Sequence, residues 1–367
     1  MSVSGEAGGP RRLTVVGNGA HRTGAPLSLL AILRRRPPGL DVRLVLVGGG
    51  PLVDDFRAVV DDLVVLAAPV TRGARPRRVV EEVAVVAGLR RAVVGRRAGT
   101  LVVNTVEYEA SLALARRWPG PNRIAVREAV AAHGWGPRGR ARVALVRGNR
   151  AARLAAVGEG QAREWAERLG RPVAHLANVY EPAPREAVAA AAAPDGGDGP
   201  VRFLVVGGRS AVKGVDLAVA AFARRRRPPG EAELVVAGGD FPPRVDGAVR
   251  WLGAVPDLAR RMADLGDVLL GVSRTEPYSR AVVEAALAGL PLLAWTAGGY
   301  VEQLDQFGGW GVAPFDLDAM AARIDEVTAL GRSGTAAAGA ESRRRAATVH
   351  DPDRAAAAWW DWILTDP

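Results

Sequence analysis

The sequence predicts an α/β protein made of two doubly wound, mostly parallel-sheet domains. Three observations carry this. Short apolar runs that end in glycine alternate with helically spaced segments, the mark of βαβ units. The alternation halts at a Pro/Ala/Gly-rich stretch and then restarts. The chain has 367 residues, enough for two domains of about 100–200 residues each.

The elements follow in order. LTVVGN (13–18) reads as a buried strand, and APLSLLAILRRR (25–36) as a helix stopped by Pro37-Pro38-Gly39. VRLVLVGGG (42–50) and TLVVNT (100–105) read as further strands. PAPREAVAAAAAPDGGDGP (182–200) is the linker candidate. The pattern resumes with VRFLVV (201–206), a helix over about 214–227, ELVVAGG (233–239), DVLLGVS (267–273), a helix over about 280–288 and PLLAW (291–295). DPDRAAAAWWDWIL (351–364) reads as a last helix capped by Asp351, whose three tryptophans need a surface to cover. The expected division is a first domain over 1–182, a linker over 183–200, a second domain over 201–350, and the 351–367 helix returning to the first domain. Open parallel sheets bind ligands at the C-terminal ends of their strands. Two such edges facing across a cleft form a site for two ligands.

Composition narrows the classes. Hydrophobic residues make up 49% and charged residues 24%, an ordinary globular balance. No apolar run approaches the roughly 20 residues of a membrane span. MSVSGEAGGPRR lacks a basic start followed by an apolar core, so no secretory signal is expected there. There is no cysteine, which excludes disulfides, thiolate metal sites and cysteine nucleophiles. A cytoplasmic enzyme is expected. Net charge is +10 and uneven: residues 1–182 hold 29 Arg against 15 Asp and Glu, while residues 183–367 are mildly acidic. Such a basic half suits an anionic partner: the inner membrane face, a phosphorylated acceptor or nucleic acid. Equally, it suits solvated arginine from a GC-rich bacterial genome.

Two stretches carry chemistry. In GGRSAVKGVDL (207–217), a strand runs through glycines into a helix. Glycine lets a ligand approach the backbone, and a helix N-terminus favours an anion. Arg209 offers a fork for two phosphate oxygens, and Lys213, the single lysine beside 48 arginines, offers a mobile point charge. The plain alternative is a surface turn with two solvated charges. In EPYSRAVVEAALAGLP (276–291), Glu276 precedes a helix that carries Glu284 and ends at Gly289. Both carboxylates can accept bonds from sugar hydroxyls at the ligand edge, near the N–H groups of Tyr278–Ala281. The plain alternative is two solvated acids.

GGRSAVKGVDLAV followed by LGAVPDLARRMADLGDVLLGVSRTEPYSRAVVEAALAGLPLLAWTAGG resembles the C-terminal half of the retaining, nucleotide-sugar-dependent glycosyltransferases of family 4, which have the GT-B fold. HRTGAPLSLL (21–30) is similar to the first loop and helix of one branch of that family. The resemblance implies that Arg209 and Lys213 hold the donor diphosphate and stabilise it as it leaves. Glu276 lies by the transferred sugar and Glu284 on the nucleotide ribose. Gly208, Tyr278, Ser279 and Arg280 belong to the donor site, Leu252–Asp257 meets the base, and Gly24 meets the diphosphate from the first domain.

The sequence departs from the family too. Arg127-Glu128 stands where members often carry His-Glu, which leaves Arg127, Glu128 and the nearby His133 as candidates for acceptor or phosphate contact. Ser279 replaces a usual glycine. Asp316/Asp318 and Asp351/Asp353 have Asp-x-Asp spacing but begin helical patterns, where capping is expected. No metal site and no cofactor are expected beyond a nucleotide diphosphate sugar as co-substrate. GNGAHRTG fails the dinucleotide fingerprint.

The expected activity is sugar transfer, with retention, to a hydroxyl of a cell-envelope glycan, glycolipid or specialised metabolite. The rivals are a sugar-phosphate synthase, a nucleotide-sugar epimerase or a basic nucleic-acid-binding module. Few aromatics and no recognition motif count against the last.

Overall fold

The computed structural model describes residues 11–66, 75–96, 99–129, 136–181, 199–228, 230–239 and 241–365. The chain divides into two compact units: Met1–Tyr180 with Pro352–Pro367, and Glu181–Asp351.

The first unit holds strands β1 (Arg11–Gly17), β2 (Leu40–Leu46), β3 (Asp62–Val65), β4 (Thr100–Val103), β5 (Asn122–Val126), β6 (Arg153–Ala156) and β7 (Ala174–His175). They form one sheet in the order β3-β2-β1-β4-β5-β6-β7, every pair parallel. Helices α1 (Gly24–Arg34), α2 (Val53–Arg57), α3 (Arg75–Ala92), α4 (Glu109–Arg116), α5 (Pro137–Gly148) and α6 (Glu159–Leu169) make the connections. The central strands are buried residue after residue, as β5 shows with Ile124, Ala125 and Val126. That continuous apolar run, rather than an alternating one, is what a sheet covered on both faces requires.

In the second unit, β8 (Val201–Val206), β9 (Ala232–Ala237), β10 (Arg244–Asp246), β11 (Val249–Gly253), β12 (Val268–Gly271), β13 (Leu292–Trp295) and β14 (Gly309–Val312) lie in the order β10-β11-β9-β8-β12-β13-β14. All pairs are parallel except the edge hairpin β10–β11. Helices α7 (Val215–Ala223), α8 (Leu258–Leu265), α9 (Arg280–Ala288), α10 (Gly299–Phe307), α11 (Leu317–Ala329) and α12 (Gly331–Val349) accompany them. Asp316 caps α11, its carboxylate accepting from the Ala319 N–H at 2.9 Å. The expected strand at 233–239 and helix at 214–227 are present with shorter bounds, 232–237 and 215–223. Arg224–Arg227 follow α7 rather than extend it.

Helix α13 (Pro352–Leu364) packs on the first unit. Its Trp359 indole donates to the Ala177 carbonyl at 2.8 Å, and Trp360 donates to Ile32 O at the end of α1 at 3.1 Å. Buried Arg123 on β5 donates to the carbonyls of Trp362 and Thr365, so a strand charge satisfies helix-end acceptors.

Candidate active site

In the second unit, strand order reverses between β8 and β12, so a crevice opens at the C-terminal ends of these neighbours. The loops leaving them carry both motifs. After β8, each glycine has a steric reason. A Cβ on Gly207 would stand 2.8 Å from that of Lys213, and Gly208 packs on Gly239 with 3.1 Å between its ideal Cβ and the neighbour's Cα. Gly214 has φ 65°, and a Cβ there would lie 2.0 Å from the Val272 carbonyl oxygen. Only glycine fits that position. The chain thus makes a tight turn, Ala211–Lys213, against the loop that follows β12. Arg274 fastens the two: its N–H donates to Val212 O at 2.8 Å, and its guanidinium reaches Ala211 O and Asp216.

The turn delivers Lys213 Nζ to 3.0 Å from Glu276 Oε2. The carboxylate is buried, 6% exposed, whereas 44% of the lysine side chain is exposed. The ammonium spends one of its three donors on Glu276 and turns its charge outward. Arg209 places its guanidinium carbon 5.1 Å over the Phe241 ring. Phe241 in turn meets Trp251 at 4.8 Å between centroids, and Arg244 covers Trp251 at 4.2 Å. Such stacking steers a guanidinium by the ring's quadrupole.

Helix α10 grips the loop after Glu276. The Gly299 N–H donates to Glu276 O at 2.7 Å, and Gln303 both accepts from the Ser279 N–H at 3.1 Å and donates to Ser279 O at 2.8 Å. That Ser279 N–H is therefore already used, which revises the expectation that it faces a ligand. Tyr278 is buried and donates its hydroxyl to Gln306 Oε1, so its ring props the loop from below. On α9, Glu284 pairs with Arg280 at 2.5 Å. Burial raises the Glu284 pKa and the Arg280 guanidinium works against that rise. Gly289 ends α9 in the left-handed conformation, φ 85°. Segment Leu252–Asp257 leaves the C-terminal end of β11, and much of it is exposed.

The first unit holds the remaining candidates. Gly24 opens α1 in the open, with nothing within 4 Å of an added Cβ. Arg127 is a buried strut. It donates to Asn104 Oδ1, Ser28 Oγ and Asn178 Oδ1 and lies 4.6 Å over the Trp359 ring, and burial lowers its pKa to about 10. The expectation of a ligand-facing Arg127 thus meets a guanidinium engaged in joining β5, α1 and α13. Glu128 accepts from Thr105 Oγ1 and from the backbone N–H groups of Val106 and Arg127. Burial, with Glu107 nearby, pushes it up to about 7. His133 lies outside the described residues. Among the described residues, no group of three or more His, Cys, Asp or Glu has a metal-holding arrangement, and no helix is long and apolar enough to cross a membrane.

Sequence reasoning passed over Ser273, Tyr300, Gln303 and Phe241. Gly298-Gly299 marks a special turn ahead of α10, but nothing in the sequence ties Tyr300 to Ser273.

Residues 200–329 match the family model described as "Glycosyl transferases group 1". No curated protein sequence matches the chain. Among solved structures, Anabaena Alr3699/HepE in complex with UDP and glucose is similar over 96% of this chain and 99% of its own, with TM-score 0.72 and 17% identity. WaaG, a glycosyltransferase involved in lipopolysaccharide biosynthesis, is similar over 96% and 100%, with TM-score 0.73 and 18% identity. Sucrose-phosphate synthase from Thermosynechococcus elongatus is similar over 96% and 98%, with TM-score 0.71 and 17% identity. The chain has the GT-B fold of two Rossmann-like units, and the match to the glycosyltransferase group 1 model lies within the second unit.

Proposed function

We propose that this chain is a retaining glycosyltransferase that moves a sugar from a nucleotide diphosphate sugar to an acceptor hydroxyl. The observation that carries this reading is the Lys213–Glu276 pair at the switch point of the second unit. It sets a cation, for a departing diphosphate, beside a carboxylate, for the sugar. In the step itself the bond from the anomeric carbon to the diphosphate oxygen breaks. The acceptor oxygen bonds to that carbon on the same face, and the acceptor proton passes to a phosphate oxygen. Negative charge grows on the leaving diphosphate, and fixed cations at that point provide the kind of stabilisation that often dominates catalysis. Arg209 and Lys213 are those cations, Glu276 orients the sugar, and Glu284, set by Arg280, takes the ribose. The loop at Gly208 brings backbone to the diphosphate. Such a mechanism uses no metal and no dedicated base.

A thermal-shift panel of UDP, GDP, dTDP and ADP with their sugars tests the reading. One nucleotide series should stabilise the protein, and Lys213→Ala should abolish that shift. Lys213→Ala and Glu276→Ala should each abolish transfer while the fold persists. Near-normal turnover in both variants would overturn the site assignment.

The alternative acceptor is a sugar phosphate. The basic first half suits it, and the similarity to a sucrose-phosphate synthase keeps it in view. Product analysis with phosphorylated and neutral acceptors separates the two. The same basic half suits a cytoplasmic enzyme working at an anionic membrane face, which pelleting with anionic and neutral liposomes tests.

A further inference from the structure

We propose that Tyr300 is a positioning residue for Glu276, acting through Ser273 to decide which carboxylate oxygen meets the donor sugar. The Tyr300 hydroxyl donates to Ser273 Oγ at 3.0 Å and accepts from the Ser273 N–H at 3.4 Å. Ser273 Oγ lies 3.4 Å from Glu276 Oε2. All three residues are buried.

The direction of this chain is fixed by chemistry. Burial and the neighbouring Glu276 carboxylate push the Tyr300 pKa well up, so the phenol keeps its proton and donates. Its lone pairs face the Ser273 N–H, so Ser273 Oγ receives the phenol proton and has its own hydrogen left for Glu276. The relay therefore runs from phenol to serine to carboxylate. It ends on Oε2, the oxygen that also accepts from Lys213. Among the described residues, no protein donor bonds Oε1. That oxygen is the one left to accept from a sugar hydroxyl.

The backbone supports the same arrangement. The phenol ring fits because β12 ends in Gly271, where a Cβ would come within 3.0–3.1 Å of ring atoms. Gly298, at φ 56°, would place a Cβ 2.7 Å from Glu276 O, and Gly299 would place one 2.4 Å from Pro277 O. The tripeptide Gly298–Gly299–Tyr300 thus reaches Glu276 twice, at its carbonyl through the Gly299 N–H and at its carboxylate through Ser273, which the Tyr300 hydroxyl bonds.

This role rests on the reading of Glu276 as the sugar contact, so the test separates the two. The protein is titrated calorimetrically with UDP and with UDP-glucose, or with the matching GDP, dTDP or ADP pair where that series gives the thermal shift. Wild type should bind both, and Lys213→Ala should weaken both. Tyr300→Phe removes one oxygen and should weaken UDP-glucose about tenfold, the scale of one net hydrogen bond, while UDP stays within about twofold. Ser273→Ala should do the same, the double variant should be no weaker than either single one, and Ser273→Thr should restore binding. Ser273→Ala also serves if Tyr300→Phe does not fold. An unchanged UDP-glucose affinity in Tyr300→Phe and Ser273→Ala, or equal losses for both ligands, overturns the positioning role alone. Failure of wild type to bind any of UDP, GDP, dTDP, ADP and their sugars overturns the donor reading and this role with it.

Discussion

Lys213 shows how far one side chain can be explained by its neighbours. A guanidinium there would present a planar fork, in place of a compact charge, to the buried Glu276 carboxylate. Lys213→Arg should therefore lower turnover by about two orders of magnitude or more with little change in melting temperature, as steady-state kinetics beside a thermal melt will show. Phe241 belongs to the same scale. Replacing it with leucine removes the face under Arg209 and should lower kcat about tenfold, at about 0.5–2 kcal/mol for a cation–ring contact. Phe241→Tyr keeps the face and should keep the rate. Gly214→Ala forces a Cβ onto the Val272 carbonyl, and a loss of about 3 kcal/mol or more in a denaturant melt is expected.

At the scale of elements, the β4–β5 edge of the first unit makes a prediction about pH. Glu128 titrates near 7 in the folded protein, above an ordinary carboxylate. A group with a raised folded pKa gives stability that is complete below its unfolded pKa and is lost as pH rises through the folded one. The first unit should therefore lose about 1–3 kcal/mol between pH 5 and pH 8 on this account. Glu128→Gln keeps the bonds from Val106 and Arg127 and should flatten the dependence, as melts across that range will show.

Elements were also where the sequence spoke most clearly. VRFLVV and RAVVEAALA announce a strand and a helix because burial on both sheet faces and a capped apolar stripe leave a plain pattern. The edge strand β10, RVD, is exposed along its length and leaves no such trace. Helix α12, with GRSGTAAAGAESRRRAATV, has no broad apolar stripe. It packs instead through small residues, Gly339 lying so close to Gly289 O that a Cβ would stand 1.8 Å away. In the site, Lys213 and Glu276 could be singled out because charge and glycine are visible in a sequence. The Tyr300 relay could not, since a tyrosine among apolar neighbours reads as core until the fold sets its hydroxyl beside Ser273. Arg127 misleads for the opposite reason: its charge suggests a ligand, and only packing shows the partners that hold it.

Taken whole, the chain leaves the first unit at Glu181 and returns to it at Pro352. Trp359, Trp360, Trp362 and Ile363 are buried there. Deleting a buried tryptophan side chain costs about 3–5 kcal/mol, so removing three outweighs much of the roughly 5–15 kcal/mol that holds a domain. A chain ending at residue 351 should lose the cooperative melting of the first unit and keep that of the second. Calorimetry of the two lengths should read two transitions against one.

The returning helix also sets an order in time. Protein synthesis delivers α13 only after the whole second unit has been made. Until α13 emerges, the seat for its tryptophans beside α1 and β5 stays uncovered, and the nascent chain carries an apolar groove that only α13 fills. A stop codon ahead of α13 would thus spare the second unit and leave the first as a target for chaperones and proteases.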